Sequence, residues 1–193
     1  MNSKTFLLLI MSACTAFVGC SSGAESAEEK TMPYDGIINK HPYVDLGLTV
    51  LWSPLNLGAD AESDCGYYFA WGEVDTTKVE FTMENSATYQ KLYAREIIAK
   101  VDYDAARYYW RHTWRLPTQE ELTELVEKCE WTKDTVDNRM GYTVKGPNGK
   151  TIFLPACGKK FVEFEAPDSC SQDGYYWSGS HTRGQVGKGT AFA

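Results

Sequence analysis

"WRLPTQEELTEL", residues 114–125, decides how the chain around it folds. Pro117 ends an extended segment, because its ring fixes φ and biases the residue before it away from the helical region. Thr118 then stands as an N-cap, and Glu121, three positions on, completes a capping box in which its carboxylate reaches back to the Thr118 N–H. Leu122, Leu125, Val126 and Cys129 follow at i, i+3, i+4 and i+7, one face of a helix, with Glu120, Glu124, Glu127 and Lys128 outside it. The spacing predicts a helix over 118–129. Glu120 and Glu121 do not form a catalytic carboxylate pair, since neighbouring helix residues point about 100° apart. Trp114, Arg115, Pro117, Thr118 and Glu121 are therefore expected to hold the fold.

Working outward, "VDYDAARYYW" predicts a short helix capped by Asp102, with Ala105, Ala106, Tyr109 and Trp110 facing inward. "YVDLGLTVLW" alternates Val44, Leu46, Leu48, Val50 and Trp52 against Asp45, Gly47 and Thr49, the period of a half-buried strand. "DCGYYFAWGE", residues 64–73, reads as a second, aromatic strand. Residues 76–100 are irregular, with "YQKLYAREIIAK" weakly helical. After the central helix, residues 142–145 and 151–154 predict a hairpin closed by Gly146-Pro147-Asn148-Gly149. "DGYYWSGS" is a further strand, residues 180–189 a polar glycine-rich loop, and "TAFA" the start of one more strand. The fold class is α+β.

The 193 residues suit one domain behind a leader. A net charge of −7, with no basic block, argues against nucleic acid as a partner, since that binding rests on clustered Lys and Arg. Lys4 followed by the apolar run Phe6–Met11, too short to span a bilayer, predicts a signal peptide over 1–19. Val18-Gly19-Cys20 resembles a bacterial lipobox, with Phe17 where Leu is usual, which makes Cys20 the lipidated N-terminus of the mature protein. Two or three acyl chains would give stable membrane anchoring. Residues 20–40 then form a lipidated, polar tether, and the folded domain occupies 41–193.

Cys65, Cys129, Cys157 and Cys170 remain in the domain. In an exported protein they allow three disulfide pairings, or four buried thiols, and spacing does not choose among them. No CxxC pair, HExxH, GxSxG elbow or phosphate loop is legible. His41, His112 and His181 lack ligand spacing, and His112 belongs in a turn. No catalytic residue, metal or cofactor is expected. Tyr175 and Trp177 offer aromatic faces to a sugar, although core packing competes for them. The polar loop carrying His181, Arg183, Gln185 and Lys188 is the stronger recognition candidate.

The ordered series "YVDLGLTVLW", "GYYFAWGE", "WRLPTQEEL", "GPNGKTIFLPACG" and "GYYWSGS" resembles the major paralogous domain of exported Bacteroidota proteins, over most of residues 41–193. That family is similar to the C-type-lectin-like fold and, more distantly, to formylglycine-generating enzymes. The resemblance implies short helices around a twisted, mostly antiparallel sheet. Family members continue past "TAFA", so a truncated or divergent C-terminus is expected. Formylglycine-generating enzymes hold copper through a closely spaced cysteine pair, whereas Cys157 and Cys170 stand 13 positions apart. Sugar-binding lectins of this fold use Glu-Pro-Asn and Trp-Asn-Asp; here Gly146-Pro147-Asn148 and Trp177-Ser178-Gly179 lack the carboxylate. The expected function is a non-enzymatic, lipid-anchored binding or adhesion module of the cell envelope, at the outer membrane, with a glycan or protein ligand. A degenerate relative of the formylglycine-generating oxidases, or a structural envelope protein, are the alternatives.

Overall fold

Thr118 caps the central helix as the sequence requires. Its hydroxyl accepts from the Glu121 N–H at 3.2 Å, while the Glu121 carboxylate accepts from the Thr118 N–H at 2.8 Å. The computed structural model describes residues 34–77, 85, 102–159, 173–181 and 189–192, all within one compact unit, Met32–Ala193. The expected leader and Cys20 lie outside the described residues. The chain forms strands β1 (Gly36–Ile38) and β2 (His41–Tyr43), helices α1 (Ala105–Trp110) and α2 (Gln119–Lys128), then β3 (Glu130–Val136), β4 (Arg139–Lys145), β5 (Thr151–Pro155), β6 (Tyr176–His181) and β7 (Gly189–Phe192). It is an α+β fold of short helices and small antiparallel sheets: β1–β2, β3–β4–β5 and β6–β7.

α2 packs its apolar side on the three-stranded sheet. Leu125, Val144 and Ile152 are almost fully buried together with Val44 and Leu46, and Leu48, Trp52, Trp131 and Leu154 close around them. Burying each aliphatic side chain contributes about 1.5–3 kcal/mol, so this small cluster outweighs any single surface contact. Val126, expected on the buried face, is instead 49% exposed, because Leu122 and Leu125 supply the contact line. Cys129 is the partly buried C-cap residue.

Four readings are corrected. Residues 34–40 are not tether: β1 and β2 form a hairpin turned at Asn39 and Lys40, which take φ of 47° and 70°. The hairpin is tied down by Asn39 Nδ2 donating to the Trp110 carbonyl at 2.5 Å and Trp114 Nε1 donating to the Ile38 carbonyl at 2.9 Å. Residues 44–52 are not a strand. Gly47 turns the chain at φ 76°, and Val44 and Trp52 pair with each other across the resulting loop. Side chains still alternate in burial, with Val44 and Leu46 inside and Asp45, Gly47 and Thr49 outside. Residues 64–73 are not a strand either. Indoles replace the ladder: Trp71 Nε1 donates to the Ser178 carbonyl at 2.9 Å and Trp177 Nε1 to the Phe69 carbonyl at 2.8 Å. Finally, Asp104 rather than Asp102 caps α1, and Tyr109 is 37% exposed.

The hairpin β4–β5 is present with its turn at 146–149. Gly146 is required there, because a Cβ would lie 2.1 Å from the Leu46 carbonyl oxygen. Asn148 Nδ2 donates to the Asp45 carbonyl at 2.7 Å, so this turn docks on the 44–52 loop. Cys65 and Cys157 form a disulfide, which settles one of the open pairings; Cys129 is free and Cys170 lies outside the described residues.

Candidate functional site

The extended run Trp114–Thr118 sits between three elements and fixes one wall of a cavity. Its direction is set at both ends. Leu116 N–H donates to the buried Asp104 carboxylate at 3.1 and 3.2 Å, and the Pro117 carbonyl accepts from Gly179 N–H at 2.5 Å. Ser180 Oγ accepts from the Gln119 N–H at 2.9 Å, joining β6 to the start of α2. Arg115 reaches along the same wall and grips Glu121 with both terminal nitrogens, at 2.8 and 2.5 Å. The Arg115 guanidinium holds the Glu121 carboxyl below the usual carboxylate range, and Glu121 in turn raises the arginine. The five residues expected to be structural therefore share one capped corner. Thr118→Ala is expected to lower stability by about 1 kcal/mol, the usual scale for a lost N-cap. Denaturant melts would register this as a lower midpoint with unchanged slope.

Behind that wall lies a cavity of about 690 Å³, the size range of small-molecule sites. Aromatic rings dominate it: Trp52, Tyr67, Phe69, Trp110, Trp114 and Trp177 all line it. The disulfide Cys65–Cys157 contributes to the lining as well, and Leu122 and Leu125 reach it from α2. Tyr67 is 51% exposed and belongs to a ring cluster, with Phe69 edge-on at 6.2 Å and Tyr109 at 6.0 Å. Tyr108 stacks edge-on against Tyr109 at 5.0 Å, and the Arg111 guanidinium lies 5.2 Å from the Tyr108 ring centre. An exposed aromatic group thus continues from the cavity onto the surface, where large apolar faces mark binding regions more often than chance.

Of the residues expected to bind ligand, Tyr175 and Trp177 both line this cavity. Tyr175 is 40% exposed, with the Lys159 ammonium 4.9 Å from its ring centre. Trp177 is partly buried against Trp71. His181 ends β6, but its side chain, like Arg183, Gln185 and Lys188, lies outside the described residues. His112 is exposed in a turn at φ 52°. His41 stacks on Trp110, ring centres 4.4 Å apart, and burial lowers its pKa.

The sequence reading overlooked Trp52, Tyr67, Phe69 and Trp110 as a group, because they come from separate segments. It also overlooked β3, whose signal was present: Asp137-Asn138 is a two-residue turn, and both residues take positive φ, 46° and 64°. No group of three or more metal-ligating side chains occurs among the described residues. No family model matches the chain, and no curated protein and no solved structure matches it either.

Proposed function

We propose that this protein is a binding module of the cell envelope, anchored to the outer membrane through Cys20, and that its ligand enters the aromatic-lined cavity. The cavity carries the reading: a concave space of about 690 Å³ with rings on several walls, backed by the capped corner at Thr118. Rigid walls lower the ordering cost of binding, which is why preformed pockets bind more tightly than loops. The order of short helices, antiparallel hairpins and aromatic segments supports a C-type-lectin-like domain of the major paralogous type. The anchor rests on the leader ending in Val18-Gly19-Cys20.

Two measurements on the full chain test this reading. In fractionated cells, Cys20→Ser is expected to move the protein out of the membrane fraction; retention would place the anchor elsewhere. For the ligand, a screen of glycans and envelope extracts compares the parent with Tyr67→Ala/Tyr175→Ala and with Arg183→Ala/Gln185→Ala/Lys188→Ala. Tyr67 and Tyr175 are substantially exposed, so their removal spares the core. Binding lost only in the tyrosine variant supports the cavity. Binding lost only in the triple variant assigns recognition to the 180–189 loop instead.

A further inference from the structure

The polar atoms on the cavity wall are largely occupied by the protein itself. Arg115 and Glu121 neutralise one another, Arg115 also donates to the Leu116 carbonyl, and Glu121 is held by the Thr118 N–H. The indole N–H groups of Trp114 and Trp177 donate to the carbonyls of Ile38 and Phe69. The hydroxyls of Tyr68 and Tyr176 donate to the carbonyls of Cys157 and Pro155, at 2.8 and 2.7 Å. Ser53 Oγ donates to the Leu55 carbonyl at 2.9 Å. The Trp52 Nε1–H is buried without a partner among the described residues, and the exposed lining residues Tyr67, Thr113, Lys159 and Tyr175 carry further hydroxyls and an ammonium that meet solvent. What the buried and half-buried side chains offer the cavity is chiefly ring faces, aliphatic groups and sulfur.

We infer that the cavity is a site for a compact, uncharged, ring-bearing apolar molecule rather than for a sugar. The inference rests on the proposed binding function and names its ligand class. A buried hydroxyl left without a partner costs about 1–3 kcal/mol, so a sugar with several such hydroxyls meets a penalty this wall does not offset. A net charge gains little, because the opposite charges of Arg115 and Glu121 are already spent on each other and Lys159, the remaining charged lining residue, is exposed to solvent over the Tyr175 ring. Water within such walls finds few free partners, and displacing weakly held water with an apolar group favours binding. Flat rings gain further from offset and edge-to-face contact with Trp and Tyr.

The test uses the full chain and N-phenyl-1-naphthylamine, a neutral ring-bearing fluorophore, with a panel of neutral oligosaccharides in parallel. Saturable fluorescence enhancement is expected with the parent chain, weakened at least about tenfold in Tyr67→Ala/Tyr175→Ala, whose rings line the site. Leu51→Trp, at an exposed lining position, is a second variant that fills space instead of removing it and is expected to weaken binding similarly. Thermal melts confirm that each variant is folded. Fluorophore binding unchanged in both folded variants overturns the inference, since the probe then sits elsewhere. Oligosaccharide binding that both variants weaken, without fluorophore binding, overturns the apolar class while leaving the cavity as the binding site. Failure of both probes in the folded parent overturns the inference, and the extract screen then judges the binding function separately.

Discussion

The double variant Cys65→Ser/Cys157→Ser is expected to unfold at roughly 4 kcal/mol less free energy than the parent chain. The bond joins residues 92 positions apart. Closing so long a loop removes much of the unfolded chain's freedom, and the chain-entropy relation gives about 4–5 kcal/mol for this length. Small domains retain only about 5–15 kcal/mol in total, so the loss would bring a marginal domain close to unfolding at growth temperature. Folding both chains under oxidising conditions and comparing denaturant midpoints measures it. Equal midpoints would mean that the bond does not form. The double variant is preferable to a single one, which would leave a new free thiol able to pair with Cys129 or Cys170.

Asp104→Ala is expected to cost about 3 kcal/mol, well above the loss at Thr118. Asp104 is fully buried and serves two elements. Its carboxylate caps α1 by accepting from the Arg107 N–H at 2.9 Å, and it also accepts from the Leu116 N–H. Truncation removes a cap worth about 1–2 kcal/mol and strands a partly buried donor worth about 1–3 kcal/mol more. Burial pushes the Asp104 carboxyl above its ordinary range, against the hydrogen bonds that lower it. The folded state therefore holds this proton more tightly than the unfolded chain does. Its contribution is complete below the ordinary aspartate range and is lost as pH rises through the folded value. Asp104→Asn keeps one acceptor oxygen and is expected to cost less than Asp104→Ala while removing that pH dependence. Urea melts of the three forms between acid and neutral pH check both statements. An alanine variant as stable as the parent would show that the corner at Leu116 is held by other contacts.

Local chemistry was legible in the sequence and distant chemistry was not. The capping box at Thr118 and Glu121 lies within four residues, and the hairpin β4–β5 carries its own turn, so each could be read in place. Alternation over 44–52 reported which side chains are buried, but period two says nothing of backbone partners, and Gly47 bends the segment into a loop. The aromatic run 64–73 looked like a strand because its residues favour sheets, yet indole N–H groups from Trp71 and Trp177 make the cross-links. Asp102 and Asp104 are equally good caps by type. Asp104 caps because Leu116, twelve residues on, donates to the same carboxylate. The site was half visible: Tyr175 and Trp177 were singled out, but Tyr67, Phe69 and Trp110 join them only through tertiary folding.

The disulfide has a mechanical consequence whenever the chain is pulled by its two ends. The chain from Cys65 to Cys157 is a covalent ring, so a pull on the two termini passes through the sulfur bridge and bypasses everything between. With 92 positions bypassed, the fully stretched length falls by about 300 Å. Both helices of the described residues and the three-stranded sheet lie inside that ring, shielded from direct tension, while β1–β2 and β6–β7 lie outside it and bear the load. Under such a pull the terminal hairpins would peel first, and Leu125, Val144 and Ile152 would stay inside the ring while Val44 and Leu46, on the load-bearing segment before Cys65, could be drawn off them.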